Sequence, residues 1–472
     1  GVEEGHTPDW RMLRENGLGA TRADADYFAR TFPELVRERI AGVQREEILA
    51  RILKGAQSAA GAYREFRSFV LSTFFLDPQT PGADGLKPEF RADRYSLGKE
   101  EYDWALKNNL QVEKSAAQLY EEAWPVVQAT RRQMQDLAQA IGRKRGWDLP
   151  ERGPAAVRAV FDRLSMDYPH SDREMVDGYR KAATRLVQYA RKTGLFDVPE
   201  DYRLEVVETP PPLRASIDGA AYYPAPPFKD QGVGRFYVTP TGDDDAALKS
   251  NNRAAMADLA AHEGFPGHDW HFKVMTGFRD EISPVRWLTP GAVEDSSSMW
   301  EDSMAAEGWA LYAEALMAEP QPGAPEGFYT EEEHLYQLQG QLYRDLRVRV
   351  DTGLHTGRLS FDEAVDLFSQ VVDFLPGSCT QPGQEFSEAK RASCKSAGRA
   401  IFRYSKWPTQ AITYRLGKDA ILALRARAGR QMGDRFDLKQ FHLQFMRQGT
   451  IPSGYFKDEF LQELESGQQA ES

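Results

Sequence analysis

Three things are scarce in this sequence, and each scarcity narrows the reading. No run of eighteen apolar residues occurs, so no stretch is long enough to cross a membrane as a helix. Basic clusters are missing: 71 acidic residues outweigh 59 basic ones, and the formal net charge of −12 argues against a nucleic-acid partner. Cysteine is down to two, Cys379 and Cys394. They sit in a polar insertion, Pro376-Gly-Ser-Cys-Thr-Gln-Pro-Gly383 running into Ser387-Glu-Ala-Lys-Arg-Ala-Ser-Cys394. A bridge there would close a short loop and contribute about 3 kcal/mol in the chain-entropy model. Two free thiols in a reducing compartment is the plainer reading, but little else in the insertion promises to hold it. We therefore expect a Cys379–Cys394 disulfide and, with it, an exported protein: periplasmic, lipid-anchored or extracellular. The opening residues, Gly-Val-Glu-Glu rather than Met, fit a removed leader or tag.

What is present is enough apolar residue, 41% of 472, to fill one large core or two. Residues 1–200 read as helix after helix. Phe28, Phe32, Leu35, Val36, Ile40, Val43, Ile48, Ile52 and Leu53 recur at three- and four-residue spacing, and Tyr102, Leu106, Leu110, Leu119, Tyr120 and Trp124 continue the pattern. Ser171-Asp-Arg-Glu174 has the form of a capping box, and Gly194 that of the stop for the helix it opens. His170, just before the cap, reads as a surface turn residue. No chemistry-bearing pattern occurs here, so the expected division is a helical half, 1–200, and a second half, 201–472, that carries the site.

Between 201 and 245 the character changes. Leu204-Glu-Val-Val-Glu208 and Arg235-Phe-Tyr-Val-Thr239 are short β-type runs, and six prolines between them cannot continue a helix or a central strand. The reading is a small hairpin or sheet leading into a helix over Asn251 to Phe265. It is either a linker or a strand bordering a cleft, where an exposed edge, with Tyr237 on it, could pair with substrate backbone.

That helix ends in the densest stretch of the chain, Leu259-Ala-Ala-His-Glu-Gly-Phe-Pro-Gly-His-Asp-Trp-His271, which holds three of the eight histidines. A His-Glu pair with a second His nearby is the vocabulary of zinc hydrolases: imidazoles hold the metal and the Glu takes a proton from activated water. The usual spacing, H-E-x-x-H, sets both His one turn apart on a helix. Here His268 follows His262 by six, which on an unbroken helix leaves roughly 120° and about 9 Å between them. Pro266-Gly267 removes that objection by ending the helix and permitting a sharp turn back. His271 is one histidine too many and is expected beside the site or on the surface. Trp270, Phe272 and Trp287 are expected to pack, and Asp295-Ser-Ser-Ser298 to form an exposed loop.

Some forty residues on comes Glu307-Gly-Trp-Ala-Leu-Tyr-Ala-Glu314. Gly308 to Tyr312 is apolar, so this helix is buried, and buried carboxylates need partners. Glu307 and Glu314 share a face seven residues apart. The pair of motifs, H-E-x-x-P-G-H then E-G-W-A-L-Y-x-E, resembles the bacterial family called domain of unknown function 885. Gly234-Arg-Phe-Tyr-Val238, Val350-Asp-Thr-Gly-Leu-His-Thr356 and Gln410-Ala-Ile-Thr-Tyr-Arg-Leu-Gly417 extend the likeness from about Tyr202 to the C-terminus. The resemblance implies a gluzincin-like zinc peptidase, with His262, His268 and Glu307 as ligands of one Zn2+. Glu314 would then orient an imidazole through its free N–H.

The resemblance also makes His355 and Arg347 candidates for the cleft. By spacing alone, Arg347 and Asp351 form an intrahelical ion pair. Thr330-Glu-Glu-Glu333 and Ser360-Phe-Asp-Glu363 are capping boxes that open the helices on either side. Tyr414 reads as core or, near zinc, as an oxyanion donor. Arg415 stands where the family usually has Lys, keeping the charge in another geometry. His334 and His442 read as surface residues.

The expected fold is mainly α, a multi-helical zinc-peptidase-like arrangement with a small β element beside the active-site helix and a cleft between two halves. The expected function is hydrolysis of peptide bonds, with Glu263 as general base, Tyr414 or His355 on the oxyanion, and Arg347 or Arg415 on a substrate carboxylate. Hydrolysis of a non-peptide amide would use the same metal. In a binding protein the zinc would only tie helices together, but such a site has no need of Glu263 next to its first ligand.

Overall fold

The computed structural model describes every residue except 1–3, 6, 43–44, 78–84, 152, 215–216, 218, 226–232, 284–285, 287–302, 381–384 and 472. Trp287 and the Asp295–Ser298 loop lie outside the described residues. The chain divides into two compact units, residues 1–97 and 98–472. The division falls at 97/98, so the helices before residue 200 are shared between the units.

The first unit is a helical run over residues 10–39, with π-helical turns at Leu13–Ala20 and Tyr27–Thr31, followed by the long helix α1 (Arg45–Phe74). Leu13 and Leu18 pack on Val70, Leu71, Phe74 and Phe75 to make its small core.

The second unit carries everything the site uses. Among its helices, in order, are α2 (Lys99–Asn108), α3 (Ala116–Arg145), α4 (Pro154–Leu164), α5 (Asp172–Thr193) and, after a short helix Asp245–Ser250, α6, an α-helical turn Met256–Leu259 continued by a π-helical turn Ala260–Gly264. Then come α7 (His268–Gly277), α8 (Met304–Met317), α9 (Glu331–His355), α10 (Phe361–Val371), α11 (Glu388–Lys406), α12 (Thr413–Met432), α13 (Leu438–Met446) and α14 (Lys457–Glu471). Reciprocal capping boxes form at Thr330/Glu333 and Ser360/Glu363, starting α9 and α10 where the sequence places them. At Ser171 only half the box closes. Its hydroxyl takes the Glu174 amide, while the Glu174 carboxylate reaches one residue further back, to the His170 amide at 3.0 Å. Gly194 ends α5 in the left-handed conformation.

Among the described residues there is one sheet, of strands β1 (Glu205–Glu208), β2 (Ala220–Tyr223) and β3 (Arg235–Val238), in the order β1-β3-β2. It is not a hairpin of the two apolar runs. β1 and β3 pair in parallel, and β2, antiparallel to β3, stands at the edge beside α6. The main core lies between the sheet and the helices around α8, with Trp270, Trp309, Tyr312, Phe441 and Phe445 fully buried within it.

Cys379 and Cys394 are disulfide-bonded, with Cα atoms 5.5 Å apart. The insertion has a second anchor that the sequence reading missed. The Lys390 ammonium is buried and donates to Ser369 Oγ, Leu375 O and Gly377 O at 2.8, 2.9 and 2.7 Å, using all three protons.

Candidate metal centre

Small residues let the two site helices approach closely. Ala257, Ala260 and Ala261 are buried along α6. The helix stops at Phe265, whose φ −107°, ψ 131° is the extended conformation that a following proline demands. A side chain on Gly267 would sit 1.8 Å from the His262 carbonyl oxygen, so only glycine lets the chain fold back there. That return makes His268 the first residue of α7, and the Trp309 indole fixes the turn by donating to Pro266 O at 2.9 Å. On the far side, a Cβ on Gly308 would meet the backbone of Gly417 at 2.5 Å. α8 and α12 therefore cross backbone to backbone, which brings Glu307 and Tyr414 up to the same place.

His262, His268 and Glu307 are the outcome: all three are buried, and their ligand atoms lie within 4.8 Å of one another. Each imidazole Nε2 is 3.3 Å from Glu307 Oε2. Metal bonds of 2.0–2.2 Å at tetrahedral angles set neighbouring ligand atoms about 3.4 Å apart, so the spacing suits an ion at the centre. Glu307 Oε2 is buried and, apart from those two imidazoles, meets no hydrogen-bond donor among the described residues. A cation would satisfy it. This group could hold a metal ion, and the turn at Pro266-Gly267 is what assembles it.

Behind the ligands, His262 Nδ1 lies 2.5 Å from Glu314 Oε1, and Arg344 approaches the same oxygen at 3.6 Å. Burial lowers the pKa of His262, but Glu307 and Glu314 outweigh it and raise it to about 10, holding a proton that a cation would displace. Asp258, one helical turn before His262, is pushed well above the usual carboxylate range by burial and by Glu314. Neither Asp258 nor Arg344 stands out in the sequence. Asp258 carries only the i, i+4 spacing to His262, and Arg344 only its place one turn before Arg347.

A family model described as a bacterial protein of unknown function, DUF885, matches residues 1–382 and 383–459. The chain belongs to the DUF885 family. The DUF885 match takes in the helices before residue 200 as well as the motif-bearing half. Two solved structures share the fold. One, a candidate lipoprotein from Colwellia psychrerythraea, is 20% identical with a TM-score of 0.71, and the match covers 98% of this chain and 72% of the other. The second, a candidate lipoprotein of unknown function from Shewanella oneidensis, is 21% identical with a TM-score of 0.63, over 92% of this chain and 70% of the other. No curated protein matches the chain. The disulfide is consistent with an exported protein.

The remaining candidates divide between this centre and other duties. Glu263 is half-buried, and its Oε2 accepts the Tyr222 amide of edge strand β2 at 2.9 Å. Tyr414 stacks on His262, ring centroids 6.2 Å apart and planes within 14°. Arg347 is buried against Tyr414, with its guanidinium carbon 4.4 Å from the ring centre. It gives Nε to the Tyr404 hydroxyl at 2.8 Å rather than pairing with Asp351. His355 serves the fold: Nε2 meets the Tyr404 carbonyl oxygen at 3.0 Å and the ring stacks on Tyr102. Asp351 takes the Tyr102 hydroxyl and the Thr409 amide, so the Asp-Thr-Gly-Leu-His run braces three elements.

Arg415 is occupied by Asp345 and Asp419 and lines a cavity of about 540 Å³ whose walls include none of His262, His268 and Glu307. Tyr237 lies on the central strand β3, between Val207 and Ala221, and β2 is the edge that faces α6. His271 is fully buried and stacks on Phe272; neither ring nitrogen has a partner among the described residues. Burial, with the His268 imidazole close by, pushes it down to about 3. His442 is likewise buried, against the Tyr312 hydroxyl at 2.9 Å, and so is not a surface residue, whereas His334 is half-buried. His170 is exposed, as expected.

Proposed function

We propose that the chain is an exported zinc-dependent peptidase. The observation that carries the proposal is the buried His262–His268–Glu307 group with a half-buried carboxylate, Glu263, next to its first ligand. A site that only ties helices together has no use for that carboxylate. Two imidazoles and one carboxylate are the donor set of catalytic zinc, which supplies Lewis acidity and water of lowered pKa at a fourth position.

The chain's own residues do the rest. Glu314 holds His262 in the tautomer and orientation a ligand needs. Glu263, with one oxygen anchored by the Tyr222 amide, offers the other to accept water's proton and pass it to the leaving amine. Strand β2 has its second edge toward α6, where an extended peptide can add as a strand. Tyr414, stacked on His262, is the group we assign to the oxyanion.

A peptide library incubated with the protein and read by mass spectrometry, with and without chelator, tests this reading. Cleavage that stops with chelator and returns with Zn2+ supports it. Zinc retained without cleavage of any peptide or amide would leave the metal a structural role.

A further inference from the structure

Of the three arginines around Tyr414 and the site, Arg347 alone lacks a carboxylate partner among the described residues, since Arg344 lies 3.6 Å from Glu314 Oε1. Arg415 is held by Asp345 and Asp419. Arg347 is 8% exposed, and the groups around it are phenols: Tyr414 at 4.4 Å, Tyr343 at 4.5 Å and Tyr404 at 5.5 Å from ring centre to guanidinium carbon. Its neighbour one turn back, Arg344, carries the same charge, and Asp351, one turn on, is taken by Tyr102 and Thr409. Cation–π contact and the bond to Tyr404 offset part of the cost of burying this charge. An anion would offset the rest, and the planar guanidinium fork matches a carboxylate through two parallel hydrogen bonds.

The position says which carboxylate. Tyr414 touches Arg347 on one hand and stacks on His262 on the other, so a single phenol ring spans the gap from this cation to the metal centre. One residue of extended chain spans about 3.3–3.6 Å, so an anion here belongs to the substrate's own backbone, within a residue or two of the scissile bond. We infer that Arg347 binds the free C-terminal carboxylate of the substrate, which makes the chain a carboxypeptidase that releases one or two residues at a time. This rests on the peptidase reading above. Water adds across the bond one or two residues from the end: the C–N bond breaks and a C–O bond forms. Glu263 carries the proton from that water to the departing amine.

Binding tests this apart from turnover. Metal-loaded Glu263→Gln protein is titrated calorimetrically with an alanine pentapeptide as free acid, as C-terminal amide, and as an amide ending in Glu. The free acid should bind roughly ten- to hundredfold more tightly than either amide, the strength of a charge-assisted pair. Adding Arg347→Gln should close the gap. Arg347→Lys, which keeps the charge and loses the fork, should narrow it, and unchanged metal content in both variants shows that the fold survives. Equal binding of acid and plain amide overturns the assignment, as does acid-like binding of the amide ending in Glu. With wild-type protein, trimming of free acids from the C-terminus supports it. Equal cleavage of acids and amides would overturn it while leaving the peptidase reading in place. Acid-selective binding with no cleavage would remove both.

Discussion

Glu314 Oε1 lies 2.5 Å from Nδ1 of His262, while Nε2 of the same ring faces Glu307 at 3.3 Å. One imidazole thus joins a buried carboxylate on each side, and both carboxylates come from α8. Glu314→Gln keeps the shape but loses the charge that fixes the ring. Metal affinity should fall by roughly 10- to 100-fold, measured by competition with a chromophoric chelator. Unchanged affinity would show that Glu314 does not support the site.

The choice of second histidine has its own test. His268→Ala should lose most of the metal, because it removes one of three donors. His271→Ala should keep the metal and lose stability instead, since it empties a buried position beside Phe272 and Trp309. Metal analysis together with thermal melting separates the two effects. The reverse pattern would mean that His271 is the ligand.

Buried neutral histidines make the fold acid-sensitive. Burial pushes both His271 and His442 down to about 3. In the unfolded chain they take up protons below about 6.5. Between about 6.5 and 3 the unfolded state therefore binds more protons, and stability falls as pH falls. The limiting slope is about 1.4 kcal/mol per pH unit for each histidine. His442→Asn should flatten the curve of denaturation midpoint against pH in that window. A slope equal to wild type would contradict the assignment.

The Cys379–Cys394 bridge closes a loop over a separation of 15 residues, worth about 3 kcal/mol in the chain-entropy model. Thiol titration of the unfolded, unreduced protein should find close to no free thiol. Cys394→Ser should lower the melting temperature less than this figure implies, because Lys390 still holds Leu375 and Gly377.

Much of the centre was legible because its parts are local. Pro266-Gly267 announces a chain reversal, and an apolar helix that carries Glu307 and Glu314 announces buried carboxylates with partners. The two cysteines and the caps at Thr330 and Ser360 are equally short-range signals. What stayed hidden depends on distant partners. His355 looks like cleft chemistry until the Tyr404 carbonyl and the Tyr102 ring are seen to occupy it. Arg415 looks available until Asp345, seventy positions away, is found against it. The edge strand was misplaced because Ala220–Tyr223, among prolines, carries no alternating pattern, whereas Arg235–Val238 reads as a strand and turns out to be the centre of the sheet. His442, a polar residue on a helix, gives no sign in sequence of the aromatic cluster that buries it.

The most direct test of the account is Glu263→Gln. The variant keeps the side chain's size and its place beside the Tyr222 amide but cannot accept a proton. It should hold the same metal content and melting temperature as wild type while peptide hydrolysis falls by ~10²–10⁴, the range for a general acid–base group. Hydrolysis at the wild-type rate with metal intact would contradict it.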